Sequence, residues 1–155
     1  MDPHYYAVDV EWSDSRKGII CSPELNKHQG VCIEVATPPE FPQGIAGIWS
    51  PEHLFVAAVS GCLMTTFLAI AENSSLEFMS FSCQAKGKLE MVDGKYMMSE
   101  VLLYPKVVIH NDTHTNKAIR ILKKAEDACL ISHSIKSKIT MEITVEVSPL
   151  LIEST

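Results

Sequence analysis

Cys62 and Cys129 are the residues of this 155-residue chain best placed by type and surroundings to do chemistry. Cys62 sits at the centre of "SPEHLFVAAVSGCLMTTFLAIAE", and Cys129 follows 67 positions later in "AEDACLISHS". A thiolate attacks electrophilic oxygen or sulfur, and two thiols within reach of one another can close and reopen a bridge. The alternative is packing, because free cysteine is among the most buried residue types and is inert in apolar surroundings. Gly61, beside Cys62, adds weight to chemistry: glycine costs about 1 kcal/mol relative to alanine inside a helix and marks a close approach by another group.

The element that must position Cys62 starts at Ser50-Pro51. Serine caps a free backbone N–H, and proline is tolerated in the first turn, where its missing donor costs nothing. Leu54 to Ala71 is a run of 18 residues without a formal charge, the lower limit for a membrane span. Ser60, Gly61, Thr65 and Thr66 interrupt it, Glu52 and Glu72 flank it, and no cluster of Lys or Arg lies nearby to set an orientation. It reads as a buried helix of a soluble protein. A helix apolar on all sides must be surrounded by protein, and a chain this short has little left to cover it. A homodimer whose shared core contains this helix follows.

Cys129 belongs to "NDTHTNKAIRILKKAEDACLISHS", which opens on the possible caps Asp112, Thr113 and Thr115. Ala118, Leu122, Ala125 and Cys129 recur at spacings of 4, 3 and 4, which places Cys129 on the buried face of a second amphipathic helix. Lys117, Arg120, Lys123, Lys124 and Asp127 face solvent.

The remaining segments alternate as strands do. Tyr6, Val8, Val10 and Trp12 alternate with smaller or charged residues, and "SDSRKG" is a turn into "IIC". "GVCIEVATP" gives a third strand, followed by a loop, "PPEFPQGIAG". "MSFSCQAKGKLEM" puts Met79, Phe81, Cys83, Ala85, Leu89 and Met91 on one face, and Asp93-Gly94 is a hairpin signal. The return strand carries Val101, Leu103, Val107 and Ile109 in phase around Pro105, which favours a sheet edge or a bulge. "ITMEITVEV" alternates without a fault as one last strand. The expected order is β-β-β-α-β-β-α-β, an α+β arrangement of largely antiparallel strands with two main helices in one domain, residues 1–155.

Composition narrows the function classes. The net charge of −6 and scattered Lys and Arg exclude a nucleic-acid footprint. The N-terminal "MDPHYYAVDVEW" lacks the pattern of a secretory signal, so a cytoplasmic location is expected. Five cysteines without a CxxC are not a disulfide framework, and Cys21, Cys32 and Cys83 read as packing residues in strands. The histidines do not fall at metal-ligand spacings, and neither a metal nor a cofactor is expected.

The two cysteine motifs, their separation and the element order resemble the OsmC/Ohr family, the osmotically inducible and organic hydroperoxide resistance proteins. The resemblance implies an intertwined homodimer that reduces organic hydroperoxides. It assigns Cys62 as the peroxidatic thiol, Cys129 as the resolving thiol, Glu52 as the acidic residue after the helix-starting proline, and Arg16 of "DSRKG" as the activating arginine. Lys17 and Arg120 are the alternative cations. A buried cysteine has its pKa raised unless a cation compensates, which gives Arg16 a purpose, with Glu52 to hold it. Attack on the peroxide leaves a sulfenic acid on Cys62, Cys129 condenses with it, and an external dithiol reopens the bridge. Ten residues separate Glu52 from Cys62, about 15 Å along one helix, so Glu52 must act through a long arginine or across the dimer. "CLIS" lacks the proline that commonly follows the family's second cysteine, and "SGCLM" lacks the aromatic that often follows the first, which implies a divergent branch. Two other readings use the same fold: a binder of hydrophobic small molecules, and a redox sensor that forms the bridge without turnover.

Overall fold

The structure is a computed structural model and describes residues 1–25 and 31–149. The chain forms two compact units, residues 1–54 and 55–155.

In the first unit, strands β1 (Asp9–Asp14), β2 (Lys17–Cys21) and β3 (Ile33–Ala36) make an antiparallel sheet in the order β1-β2-β3. The β1–β2 reversal falls at Ser15-Arg16, where Ser15 adopts a φ of 49°. Gly18 faces Trp12 across the ladder, and a Cβ there would run into the Glu11 carbonyl, so only glycine fits. Residues 37–48 turn on themselves through bonds from Phe41 N–H to Pro38 O and from Ile45 N–H to Thr37 O, and Ala36 N–H then donates to Trp49 O at 2.8 Å. That bond delivers the chain to the helix start at Ser50. β3 begins at Ile33, later than "GVCIEVATP" suggested; Gly30 lies outside the described residues.

Cys21 and Cys32 are joined by a disulfide, which corrects their reading as separate packing residues. The β2–β3 register pairs Ile20 with Ile33, and one further step brings the two cysteines opposite each other, with Cα atoms 4.5 Å apart. Register between strands is a property of pairing, and the alternation within either strand does not reveal it.

The second unit is built around α1 (Pro51–Asn73), which enters it from Phe55 onward. Val59, Leu63, Phe67 and Ala71, four residues apart, form one fully buried stripe. They pack with Val101, Leu103, Val107 and Ile109 of β5 (Lys95–Ile109) and with Ala118, Ile121, Leu122 and Ala125 of α2 (Thr115–Asp127). Phe67 stacks on Phe81 at 5.0 Å and meets Phe78 edge-on at 5.2 Å. Each such side chain taken from water contributes about 1.5–3 kcal/mol. The opposite side of α1 is equally apolar in sequence, yet Met64 and Leu68 are each 40% exposed.

β4 (Ser80–Val92) and β5 (Lys95–Ile109) form a long hairpin through Asp93-Gly94, both with positive φ. The alternation of β4 holds through Ala85 and then fails. A register shift at Lys88/Leu89 accompanies the change, and Leu89 and Met91, expected on the buried face, are exposed.

The α+β class, the two main helices and the strand-helix order are as expected, and three finer features differ. α2 (Thr115–Asp127) stops before Cys129 and is followed by a short α3 (Leu130–His133). "ITMEITVEV" is split into β6 (Lys138–Met141) and β7 (Thr144–Val147), and both run parallel to β5, not antiparallel. Pro105 lies in β5, which is flanked by β4 on one side and by β6 and β7 on the other, rather than at an edge. The last two findings have one cause. Leu103 pairs with Met141 and Lys106 with Thr144, so the break between β6 and β7 falls opposite Tyr104-Pro105. Proline has no N–H to give the parallel ladder, and the partner strand is interrupted at that point.

Candidate functional site

Cys62 follows Gly61 and precedes the buried Leu63, so it stands at the margin of the buried stripe of α1 and is half-buried. Cys129 is fully buried. It lies where α2 has ended: Ala128 N–H closes back on Lys124 O, Cys129 N–H on Glu126 O, and Cys129 then turns extended (φ −69°, ψ 108°) as the residue before α3. His133 clips this reversal, its backbone N–H donating to Cys129 O at 3.2 Å and its Nε2–H to Asp127 O at 2.6 Å.

The reversal brings Cys129 near enough to Cys62 for each thiol to shift the pKa of the other. Burial is the largest influence on Cys62 and acts to raise its pKa. Hydrogen bonds from Cys129, from the Ile131 backbone, from Thr66 and from the Leu130 backbone outweigh it, and the pKa falls below the ordinary thiol value. Thr66 Oγ1 lies one helical turn along α1, 3.9 Å from the sulfur. Cys129 shifts the other way. Burial raises its pKa and the bond with Cys62 adds to this, with Ser132 only partly opposing. The pair is therefore polarised, with Cys62 the thiol that ionises first and Cys129 the one that holds its proton longer. Sequence reasoning assigned activation to a cation alone. It missed the backbone of Leu130 and Ile131, which becomes available because α2 stops early. Thr66, at position i+4 from Cys62, was the visible signal.

Arg16 and Glu52 form a second grouping within the first unit. Both line a groove of about 710 Å³ whose apolar walls include Val10, Trp12, Pro38 and Phe41. Arg16 Nε–H donates to Gln43 Oε1 at 3.2 Å. Glu52 Oε2 is buried without a hydrogen-bond partner, and no ion pair joins Arg16 to Glu52 among the described residues. Lys17, an alternative cation, is engaged with Glu34 at 3.4 Å and Asp14 at 3.7 Å, while Arg120 is exposed on α2. His53 is part of the helix start: its N–H donates to Ser50 Oγ, and its Nδ1 accepts from Ser50 N–H, each at 3.3 Å. This is a reciprocal capping box with histidine in the position usually taken by glutamate. The four residues singled out from sequence thus fall as two pairs, one in each unit.

An α+β chain with a polarised thiol pair, one sulfur on its central helix and the other just beyond the second, defines a class of thiol proteins. The sequence model for OsmC-like proteins matches residues 44–144, and the chain belongs to that family. It is 22% identical over 150 residues to the uncharacterized protein YmaD of Bacillus subtilis, covering 95% of this chain and 97% of that one. Among solved structures it is similar to an OsmC-like protein of unknown function from Vibrio cholerae, with a TM-score of 0.80 and 24% identity over 91% of this chain and 99% of that chain. It is also similar to an organic hydroperoxide resistance protein, OsmC, from Legionella pneumophila, with a TM-score of 0.72 and 20% identity over 95% of this chain and all of that one. At these identities the likeness is one of fold, and the branch is divergent.

Proposed function

We propose that this protein is a thiol peroxidase that reduces organic hydroperoxides through Cys62, with Cys129 as the resolving thiol. The observation that carries the reading is the mutual influence of the two thiols, with Cys62 half-buried and so open to a substrate and Cys129 fully buried. The Cys62 thiolate attacks the peroxide O–O bond; an S–O bond forms, and the alkoxide leaves as alcohol after taking up a proton. Cys129 then condenses with the Cys62 sulfenic acid and water departs. An external dithiol reopens the bridge by exchange and is itself oxidised to a disulfide. The name of the Legionella relative supports the substrate class for the fold.

We place the active form as a homodimer in the cytoplasm. Met64 and Leu68 on α1, with Leu89 and Met91 on the hairpin, are apolar surface that water covers in the single chain. Gly61 points the same way. A Cβ there would meet nothing within 4 Å, so the close approach that justifies a mid-helix glycine is not made inside the chain, and a second copy supplies it. In that assembly Arg16, with Glu52, serves to stabilise the thiolate as attack begins.

The test is consumption of cumene hydroperoxide with a small dithiol as reductant, comparing the wild-type chain with Cys62→Ser. Multiple turnovers lost in the variant establish the enzyme, and equal consumption by both sinks the reading. A bridge that forms once without turnover indicates a sensor instead. The apolar groove around Trp12 and Phe41 supports a second reading, a binder of hydrophobic small molecules, which predicts ligand binding that survives Cys62→Ser.

A further inference from the structure

The Cys21–Cys32 disulfide takes no part in the reaction proposed above, and its setting is unlike that of a structural bridge. Neither sulfur belongs to a hydrophobic core; Cys32 is exposed, Cys21 half-buried, and the neighbouring Val31 is exposed as well. The bridge lies one step beyond the last ladder pair, Ile20 with Ile33, at the end of the sheet where the chain leaves β2. Four paired positions, from Lys17 with Ala36 to Ile20 with Ile33, hold β2 to β3 without it, and β1 holds β2 from the other side. Opening the bridge therefore removes no ladder bond and uncovers no core. An exposed disulfide is also the kind that exchanges most readily with thiols in solution.

We propose that Cys21–Cys32 is a second, reversible redox site, opened by an external thiol that attacks Cys32. A thiolate RS⁻ approaches the exposed Cys32 Sγ; the RS–Cys32 bond forms, the Cys32–Cys21 bond breaks, and Cys21 leaves as the thiolate, which takes a proton from water. A second thiolate attacks the RS sulfur, releases Cys32 as a thiolate and departs as the disulfide RSSR. Two electrons pass from the external thiols to the protein, and a small disulfide reverses the sequence. The attack has one direction because the two sulfurs differ in access: an incoming thiol meets Cys32 first, and Cys21, at the end of β2, is the group that leaves. Reduction then untethers the ends of the ten-residue segment between the cysteines while the three-stranded sheet persists.

The experiment uses a Cys62→Ser/Cys129→Ser double variant, in which the bridge of the proposed peroxidase cannot form, so this site is read whether or not that function holds. Protein purified without reductant is equilibrated with mixtures of reduced and oxidised dithiothreitol and trapped with N-ethylmaleimide. The linkage of Cys21 to Cys32 is then followed by peptide mass spectrometry alongside circular dichroism. The expected result is a full, reversible conversion between bridge and dithiol with an unchanged strand signal. With glutathione disulfide, Cys21→Ser acquires an adduct on Cys32 several-fold faster than Cys32→Ser acquires one on Cys21. A bridge that stays closed until the protein unfolds makes it structural and overturns the proposal. So do two free thiols that oxidised dithiothreitol cannot join, or an adduct that forms faster on Cys21. Should the double variant fail to fold, the same trapping on the wild-type chain, read at the Cys21–Cys32 peptide alone, distinguishes these outcomes.

Discussion

Two cysteine pairs in this chain are assembled by different means, and their chemistry differs accordingly. Cys62 and Cys129 meet because a helix presents one sulfur and the early end of α2 presents the other, in a setting of packed apolar side chains. They are free thiols with pKa values displaced in opposite directions. Cys21 and Cys32 meet because two strands are in register, on a surface, and they are bridged. Tertiary packing makes two like residues unequal in charge, which suits a nucleophile and its partner. A sheet register sets them opposite one another and leaves access to solvent as their main difference.

The widest separation between the pairs should appear in activity. Cys62→Ser is expected to abolish hydroperoxide turnover, whereas Cys21→Ser should leave it within about twofold; an oxygen nucleophile at position 62 has no comparable thiolate chemistry at neutral pH. Steady-state peroxide consumption of the two variants checks this, and equal losses would break the division of roles. The next effect is on stability. Phe67→Ala removes the ring that stacks on Phe81 beneath the Cys62 helix, and should cost about 3–5 kcal/mol in urea unfolding. Cys21→Ser in the absence of reductant should cost roughly 2–3 kcal/mol through the lost loop constraint.

These contrasts mirror what the sequence made legible. Faces set by local periodicity were readable: Val101, Leu103, Val107 and Ile109 are buried as their alternation required, and so are Ala118, Leu122 and Ala125. What depended on a distant residue was not. The break in "ITMEITVEV" answers to Pro105, about 40 positions earlier. The Cys21–Cys32 bridge answers to a register that neither strand encodes alone. The placement of Cys129 fell between these cases. Its spacing from Ala125 correctly indicated burial, but the same spacing concealed that α2 ends two residues earlier and that this ending supplies backbone donors to Cys62.

That ending also predicts a pH dependence. The Cys62 pKa is lowered in the folded chain, so its thiolate should be alkylated by iodoacetamide with a midpoint below that of an ordinary thiol. The sign for stability follows from linkage. Cys62 contributes stability that is present above its unfolded pKa and is lost as pH falls through its lower folded value; Cys129 contributes stability present below its unfolded pKa and lost as pH rises through its higher one. Cys129→Ala deletes the thiol donor and should move the Cys62 midpoint upward. An unmoved midpoint would show that the sulfurs do not speak to each other.

The smallest expected change is at Thr66. Thr66→Val keeps the branched shape at that position on α1 and deletes only the hydroxyl, which lies 3.9 Å from Cys62 Sγ. A contact that long to sulfur is weak, and Thr66 is third in influence among the groups that lower the Cys62 pKa, after Cys129 and the Ile131 backbone. The alkylation midpoint should therefore rise, but by less than in Cys129→Ala, and the stability of the fold should change by no more than about 1 kcal/mol. If Thr66→Val raises the midpoint more than Cys129→Ala does, the charge on Cys62 is held by its own helix, and the pairing of the two thiols would be a matter of position without electrostatic consequence.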